Sequence, residues 1–236
     1  MRAAVFGASG GIGAALVRHL AARDDVAEVH AGSRRGAVPA GAKVHPFRFD
    51  ALDDARLAAS VAAIGAPLDL VIVATGRLTR ADGSGPEKAL RQVSPAALAE
   101  LFADNAIVPT MIARAVLPLL RKDARAVLAV LSARVGSIGD NRLGGWHSYR
   151  ASKAALNMLV RTIAIETARS APQAVVAALH PGTVATPLSA PFQRGVAPDR
   201  LFTPDVSAAA VLRVIDGLTA ADSGGFFAWD GTAIAF

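Results

Sequence analysis

The sequence predicts a single α/β domain, a doubly wound, mostly parallel, seven-stranded sheet with helices on both faces. Three observations predict it. Short apolar runs of β character alternate with stretches of helical periodicity from end to end, the pattern of a parallel sheet with crossover helices. A chain of 236 residues suits one such domain. Hydrophobic residues make up 53% of it and aromatics only 5%. The excess lies in Ala, Val and Leu, which let helices pack closely on a sheet.

Ala3-Ala4-Val5-Phe6 reads as a buried strand, followed by a glycine turn. From Gly13 to Arg23, residues Leu16, Val17 and Leu20 follow Ile12 at helical spacing. Val26 to Ala31 and Val44 to Phe49 read as the second and third strands, Leu52 to Ile64 as a helix, and Leu68 to Ala74 as a fourth, fully apolar strand. A long helical pattern runs from Pro95 to Leu120, and Ala126 to Leu131 is the fifth strand. Tyr149 to Ala168 carries Leu156, Leu159, Val160 and Ile163 on one side of a helix. Ala174 to Leu179, Val206 to Leu218 and Gly225 to Trp229 complete the series as strand, helix and strand. Two longer irregular segments, Gly76 to Glu87 and Pro187 to Pro204, have the length of binding loops, and 187–204 is expected to be a substrate lid.

Composition excludes several classes. With no cysteine there is no disulfide, thiolate metal site or Cys nucleophile, which fits a reducing cytoplasm. The apolar start is too short and glycine-broken for a signal peptide, and no run of about 18 apolar residues lacks charge, so no membrane span is expected. The net charge of +6 comes from scattered arginines without a dense run, so nucleic acid is not an expected partner. A basic surface does attract a phosphorylated cofactor.

Gly7-Ala8-Ser9-Gly10-Gly11-Ile12-Gly13 lies between the first strand and the first helix. Glycine allows a sharp turn and close approach to a pyrophosphate, and the helix N-terminus supplies amide donors. Gly7, Ser9, Gly11, Ile12 and Gly13 are the expected contacts on a Rossmann-type sheet. Tight helix packing alone would also use these glycines. After the second strand, Ser33 and Arg34 follow with no carboxylate between Glu28 and Asp50. Hydroxyl and guanidinium donors suit a 2′-phosphate, so NADP(H) is expected in preference to NAD(H), with Arg35 as the next candidate.

Tyr149 and Lys153 stand four apart at the start of a strong helix, hence on one face. A free phenol is a poor acid–base at neutral pH. A neighbouring ammonium and an oxidised nicotinamide lower its pKa, and Tyr149 then exchanges a proton with a carbonyl or alcohol.

The glycine spacing through Gly7, Gly11 and Gly13, the Tyr149/Lys153 pair, and His180-Pro181-Gly182-Thr183-Val184-Ala185-Thr186 after the sixth strand resemble the short-chain dehydrogenase/reductase family over nearly the whole chain. Phe6 departs from the family's usual Thr. The segment from Arg134 to Asn141 with Gly144-Gly145-Trp146 resembles the branch with C-factor-like proteins and the carbonyl reductase Sniffer. The resemblance implies an NAD(P)-dependent carbonyl/alcohol oxidoreductase on a small-molecule substrate, and a homodimer or homotetramer through the long helices around 98–120 and 149–168. It also implies roles for single residues. Asp50 and the Ala51 amide meet the adenine, although Asp50 or Asp53 would serve equally as a helix N-cap. Ala74, Thr75 and Gly76 border the cofactor, with Ala74 replacing a structural Asn. Asn105 perturbs its helix and holds a water near Lys153. Pro181 and Gly182 wall the nicotinamide, the Val184 backbone clamps its carboxamide, and Thr186 reaches the pyrophosphate.

The serine that holds the substrate oxygen in that family is displaced. Counting back from Gly136, Ala133 takes its slot, and Ser132 lies one residue early. Ser132 is the chosen candidate, with Ser137 in reserve. His180 reads as a satisfied strand-end histidine, and with no second His nearby no metal is expected. The alternative to an enzyme is a nonenzymatic dinucleotide sensor or signalling protein on the same fold.

Overall fold

The computed structural model describes residues 1–34, 36–65 and 67–236. Arg35 lies outside the described residues.

The apolar runs form strands β1 (Arg2–Phe6), β2 (Glu28–Ser33), β3 (Val44–Arg48), β4 (Leu70–Val73), β5 (Ala126–Leu131), β6 (Ala174–His180) and, after two short strands introduced below, β9 (Phe226–Ala228). These seven make one sheet in the order β3-β2-β1-β4-β5-β6-β9, with every described pairing parallel. Successive residues point to opposite faces. Ala3, Val5, Leu70, Ile72, Val127 and Ala129 therefore pack under α1 (Gly11–Ala21) and α6 (Pro204–Gly217). Phe6, Val71, Val73, Leu128 and Val130 face α2 (Asp54–Ile64), α4 (Val108–Val116) and α5 (His147–Thr167). Both faces are covered, which is why the inner strands read as unbroken apolar runs. The chain leaves β1 first toward β2 and then returns to β4 on its other side. The crevice outside the carboxyl ends of β1 and β4 is thus the topological switch point where such sheets bind ligands.

Several local features differ from the sequence reading, including the starts of α2 and β4, each two residues later than expected. The second strand begins at Glu28, two residues after Val26. The single long helix expected after Pro95 is α3 (Pro95–Phe102), a π-turn (Ala103–Ile107) and α4. Within the irregular 187–204 segment, β8 (Leu201–Phe202) pairs in parallel with β7 (Thr183–Val184), tying the segment to the loop after β6. The helical stretch Pro95–Leu119 is long and apolar enough by composition to resemble a membrane span. Its Val108, Ile112 and Val116 pack in the sheet's core instead.

Candidate active site

Helix α1 starts directly after the turn at the end of β1. Gly7 takes φ +90°, and a Cβ there would lie 2.8 Å from the Ala74 carbonyl oxygen. A Cβ on Gly13 would lie 2.1 Å from the Gly7 carbonyl oxygen, so only glycine lets α1 begin this close to β1. Gly11 faces Thr186, whose Cγ2 would be 2.6 Å from an added Cβ. The loop after β6 therefore closes against the glycine turn. No acidic residue occupies the first turn of α1, leaving its N-terminus electropositive.

A crevice beside this turn is lined by Gly7, Ser9, Gly10, Arg34, Ala74, Thr75, Gly76 and Arg77, with Phe49 behind. It contains an orphaned buried polar atom, the Thr75 hydroxyl, which has no protein partner among the described residues. Glycine backbone and an unsatisfied hydroxyl fit a dinucleotide, while the Arg77 guanidinium is held by Glu100 (2.9 Å) and Asp104 (3.2 Å). Arg34 is exposed, with its guanidinium 3.8 Å from Asp104. Ser33 differs from expectation. It is buried, its hydroxyl donates to Ser9 Oγ (3.0 Å) and accepts from the Gly36 amide (3.1 Å). It shapes the loop that presents Arg34. Asp50 closes an Asx-turn by accepting from the Leu52 amide (3.1 Å), whereas Asp53 caps α2 through the Arg56 amide (3.0 Å). Asp50 and Arg34 line a second recess with Arg48 and Arg56, while the Ala51 side chain is buried.

Tyr149 and Lys153 lie on the first turns of α5 and are only 8% and 4% exposed. Lys153 Nζ donates to the Leu131 carbonyl at the end of β5 (3.0 Å). Burial pushes the Tyr149 phenol up and the Lys153 ammonium down to about 8. The protein surroundings thus favour the protonated phenol, a proton donor. The lowering expected from the ammonium together with an oxidised nicotinamide would have to act against this burial.

Asn105 sits in the π-turn, fully buried. Its Oδ1 accepts from the Arg77 amide (2.7 Å), and its Nδ2 donates to the Arg77 carbonyl (2.8 Å) and to Ser152 Oγ (3.2 Å). The expected helix perturbation is present and joins α5 to the loop after β4. A Cβ on Gly76 would lie 3.1 Å from Asn105 Oδ1 and 3.4 Å from Lys153 Nζ, so all three groups converge.

The serine expectation fares differently. Ser132 stays on the α5 side of the sheet and donates to Asn157 Oδ1 (2.6 Å) in a buried contact. Its hydroxyl already serves to hold α5 on β5. Ser137 is buried, and its hydroxyl accepts the Asp140 amide (3.1 Å). Ala133 lines the cavity with a methyl group.

That cavity, about 430 Å³, has room for a small molecule. Ile12, Ser132, Ala133, Tyr149, His180, Pro181, Gly182, Val184 and Thr186 line part of its wall. Leu78, Val135, Trp146 and Phe192 form an apolar cluster around Tyr149, with Leu188 and Val196 from the 187–204 segment beside it. The Trp146 ring meets Phe192 edge-on (centroids 5.2 Å) and Tyr149 at 6.2 Å. Trp146 adopts the left-handed conformation (φ +52°), uncommon for a bulky residue. Its amide donates to the Glu87 carbonyl. The Glu87 carboxylate accepts from the Ser148 amide (3.1 Å) and from the Ser148 hydroxyl, so it caps α5 from a distant loop. Burial raises the Glu87 carboxyl, but the Ser148 donors, its own backbone amide and the nearby His147 together hold the pKa below the usual range. His180 also departs from expectation: Nδ1 is sealed from solvent with no partner among the described residues. No cluster of three or more potential metal ligands occurs among the described residues.

Sequence reasoning did not single out Arg77, Glu87 or Asn157. Asn157 could have been found, because Tyr149, Lys153 and Asn157 continue one spacing of four along a helix face. Glu87 acts across 61 residues of chain, and no local pattern marks it.

The fold and this site define an α/β dinucleotide-binding oxidoreductase. The chain belongs to the short chain dehydrogenase family, whose model matches residues 2–196. It is an NAD(P)-dependent dehydrogenase/reductase of that family. It is 38% identical to the C-signal protein of Myxococcus xanthus over 169 residues, covering 71% of this chain and 92% of that one. Some other curated relatives are matched over about half their own length, and a short-chain dehydrogenase of Neurospora crassa over 78% of it. NADPH-bound carbonyl reductase from chicken fatty liver superposes with a TM-score of 0.84 at 26% identity, covering 100% of this chain and 94% of that one. Carbonyl reductase Sniffer of D. melanogaster gives the same TM-score at 22% identity, covering 100% and 99%, a likeness of fold.

Proposed function

We propose that this chain is an NADP(H)-preferring carbonyl reductase in which Tyr149 is the general acid/base. The observation that carries the reading is the buried Tyr149 beside a small-molecule cavity, with Lys153 on the same helix face and the glycine turn alongside. NADPH supplies the hydride when bound. The glycine turn, Thr75 and Thr186 hold its pyrophosphate side, Asp50 and Ala51 its adenine, and Arg34 its 2′-phosphate, with Ser9 and Ser33 shaping the loop. Ala74 and Gly76 border the crevice, while Pro181, Gly182 and Val184 wall the nicotinamide. Lys153 orients the ribose and steadies charge at the phenol, and Asn105 holds the lysine's surroundings. Tyr149 donates its proton to the carbonyl oxygen as the carbon is reduced. Superposition on an NADPH-bound carbonyl reductase supports the cofactor.

We further infer a cytoplasmic homodimer or homotetramer, supported by exposed Met158 and Ile165 on α5 and Ile107 beside α4. Size-exclusion chromatography with light scattering tests it, and a monomer at micromolar concentration contradicts it.

Purified protein with NADPH and a panel of diketones, quinones and aldehydes tests the activity. Carbonyl-dependent NADPH oxidation is expected. A second reading, a dinucleotide-binding signalling protein, is favoured by the likeness to C-signal and by the missing hydroxyl at Ala133. NADPH binding with no turnover on any carbonyl would establish it.

A further inference from the structure

We propose that His180 is a catalytic residue that donates a hydrogen bond to the substrate oxygen, in place of the hydroxyl missing at Ala133. This rests on the reductase reading and names a second polar group for the same cavity.

The end of β5 offers the substrate no free hydroxyl proton, because Ser132 lines the cavity but donates to Asn157 Oδ1. Ala133 presents only a methyl. The neighbouring strand, β6, ends at His180. Val176 and Ala178 face the α5 side of the sheet, and alternation puts His180 on that side too. His180 lines the cavity together with Tyr149.

The state of the ring follows from its surroundings. No hydrogen-bond partner occurs for it among the described residues, and Nδ1 is the sealed nitrogen. A proton on Nδ1 would be a buried donor without an acceptor, which is costly. The favoured tautomer therefore carries hydrogen on Nε2, the nitrogen that is not sealed. Burial, helped by the Arg134 guanidinium, pushes the pKa down to about 4, against the opposing pull of Asp230. The ring is then neutral at pH 7, a donor that does not compete with Tyr149 as an acid.

The step balances simply. Bound NADPH would supply the hydride for the new C–H bond, with the carbonyl π pair going to oxygen. Tyr149 gives that oxygen its proton. His180 keeps its own proton and stabilises the negative charge as it develops, a role typically worth about 100- to 1,000-fold in kcat.

Two measurements test this. In kinetics with NADPH and a diketone, His180→Ala should lose about 100-fold or more in kcat while the Kd for NADPH stays within about threefold. Adding Ala133→Ser to that variant should recover at least about tenfold of kcat by restoring a hydroxyl, which loss of packing alone would not allow. A kcat within about threefold of the parent in His180→Ala overturns the assignment, and so does a loss that Ala133→Ser leaves unchanged. In the intact protein, NADP⁺ with diacetyl forms a complex without a hydride to transfer. The His180 Nε2 signal in ¹H–¹⁵N spectra should move when diacetyl is added to the NADP⁺ complex, and an unmoved signal at saturating diacetyl overturns the proposal. If the parent binds NADPH but turns over no carbonyl, the reductase reading itself falls, and this assignment with it.

Discussion

Lys153 Nζ donates to the Leu131 carbonyl across 3.0 Å, joining the helix that carries Tyr149 to the end of the strand beside the cavity. Burial holds this ammonium near a pKa of about 8. The positive charge is therefore present below pH 8 and lost as pH rises through it. Carbonyl reduction should decline above about pH 8, and Lys153→Arg, which stays charged, should remove that limb even with a lower maximum rate. Lys153→Ala should weaken both turnover and NADPH binding. A parent pH–rate profile flat from pH 7 to 10 would contradict the role.

Arg34 is exposed, lines the crevice beside the glycine turn and lies 3.8 Å from Asp104. Arg34→Ala should raise the Kd for NADPH about 10- to 150-fold, as expected for a lost charge-assisted phosphate contact of about 1.5–3 kcal/mol, and leave NADH binding nearly unchanged. Titration by fluorescence measures both. An unchanged NADPH/NADH ratio would remove Arg34 from the site.

Glu87 caps α5, the helix that carries Tyr149, through Ser148. Glu87→Gln should destabilise the fold by about 1–3 kcal/mol in urea unfolding, because a charged acceptor is lost at a helix N-terminus. The carboxylate's pKa is lowered on folding, so its contribution is full above the ordinary glutamate range and lost as pH falls through the lowered value. The parent and the variant should converge in acid. A difference that persists below that range would mean packing, not charge, is responsible.

The sheet was legible because buried strands must be apolar and helices must cover them. Alternation alone placed Ala126–Leu131 to the residue. The glycine turn and the Tyr149/Lys153 pair were legible because their chemistry is local. The π-turn was only half legible: Asn105 signalled a perturbed helix, but its bonds to Arg77 and Ser152 depend on chain distant in sequence. Ser132 was half legible: it lines the cavity, but its hydroxyl's direction depends on Asn157, 25 residues away. His180 misled for the converse reason, since an expected partner is missing.

Leu188, Phe192 and Val196 line the cavity from the 187–204 segment, and Phe192 leans on Trp146. We expect this segment to act as a lid. Its amides should exchange rapidly in the free protein and slowly with NADP⁺ and a bound carbonyl, as read by hydrogen–deuterium exchange. Strong protection without ligand would make it a fixed wall.

The central claim is that Tyr149 donates the proton. Tyr149→Phe removes one oxygen and leaves the ring against Trp146 and Lys153 in place. Once a carbonyl substrate has been found for the parent, single-turnover kinetics of this variant with NADPH are the most direct measurement. The account predicts a rate lower by about 100- to 10,000-fold, with the Kd for NADPH within about threefold of the parent. A Tyr149→Phe variant that reduces the same substrate at the parent rate would contradict it.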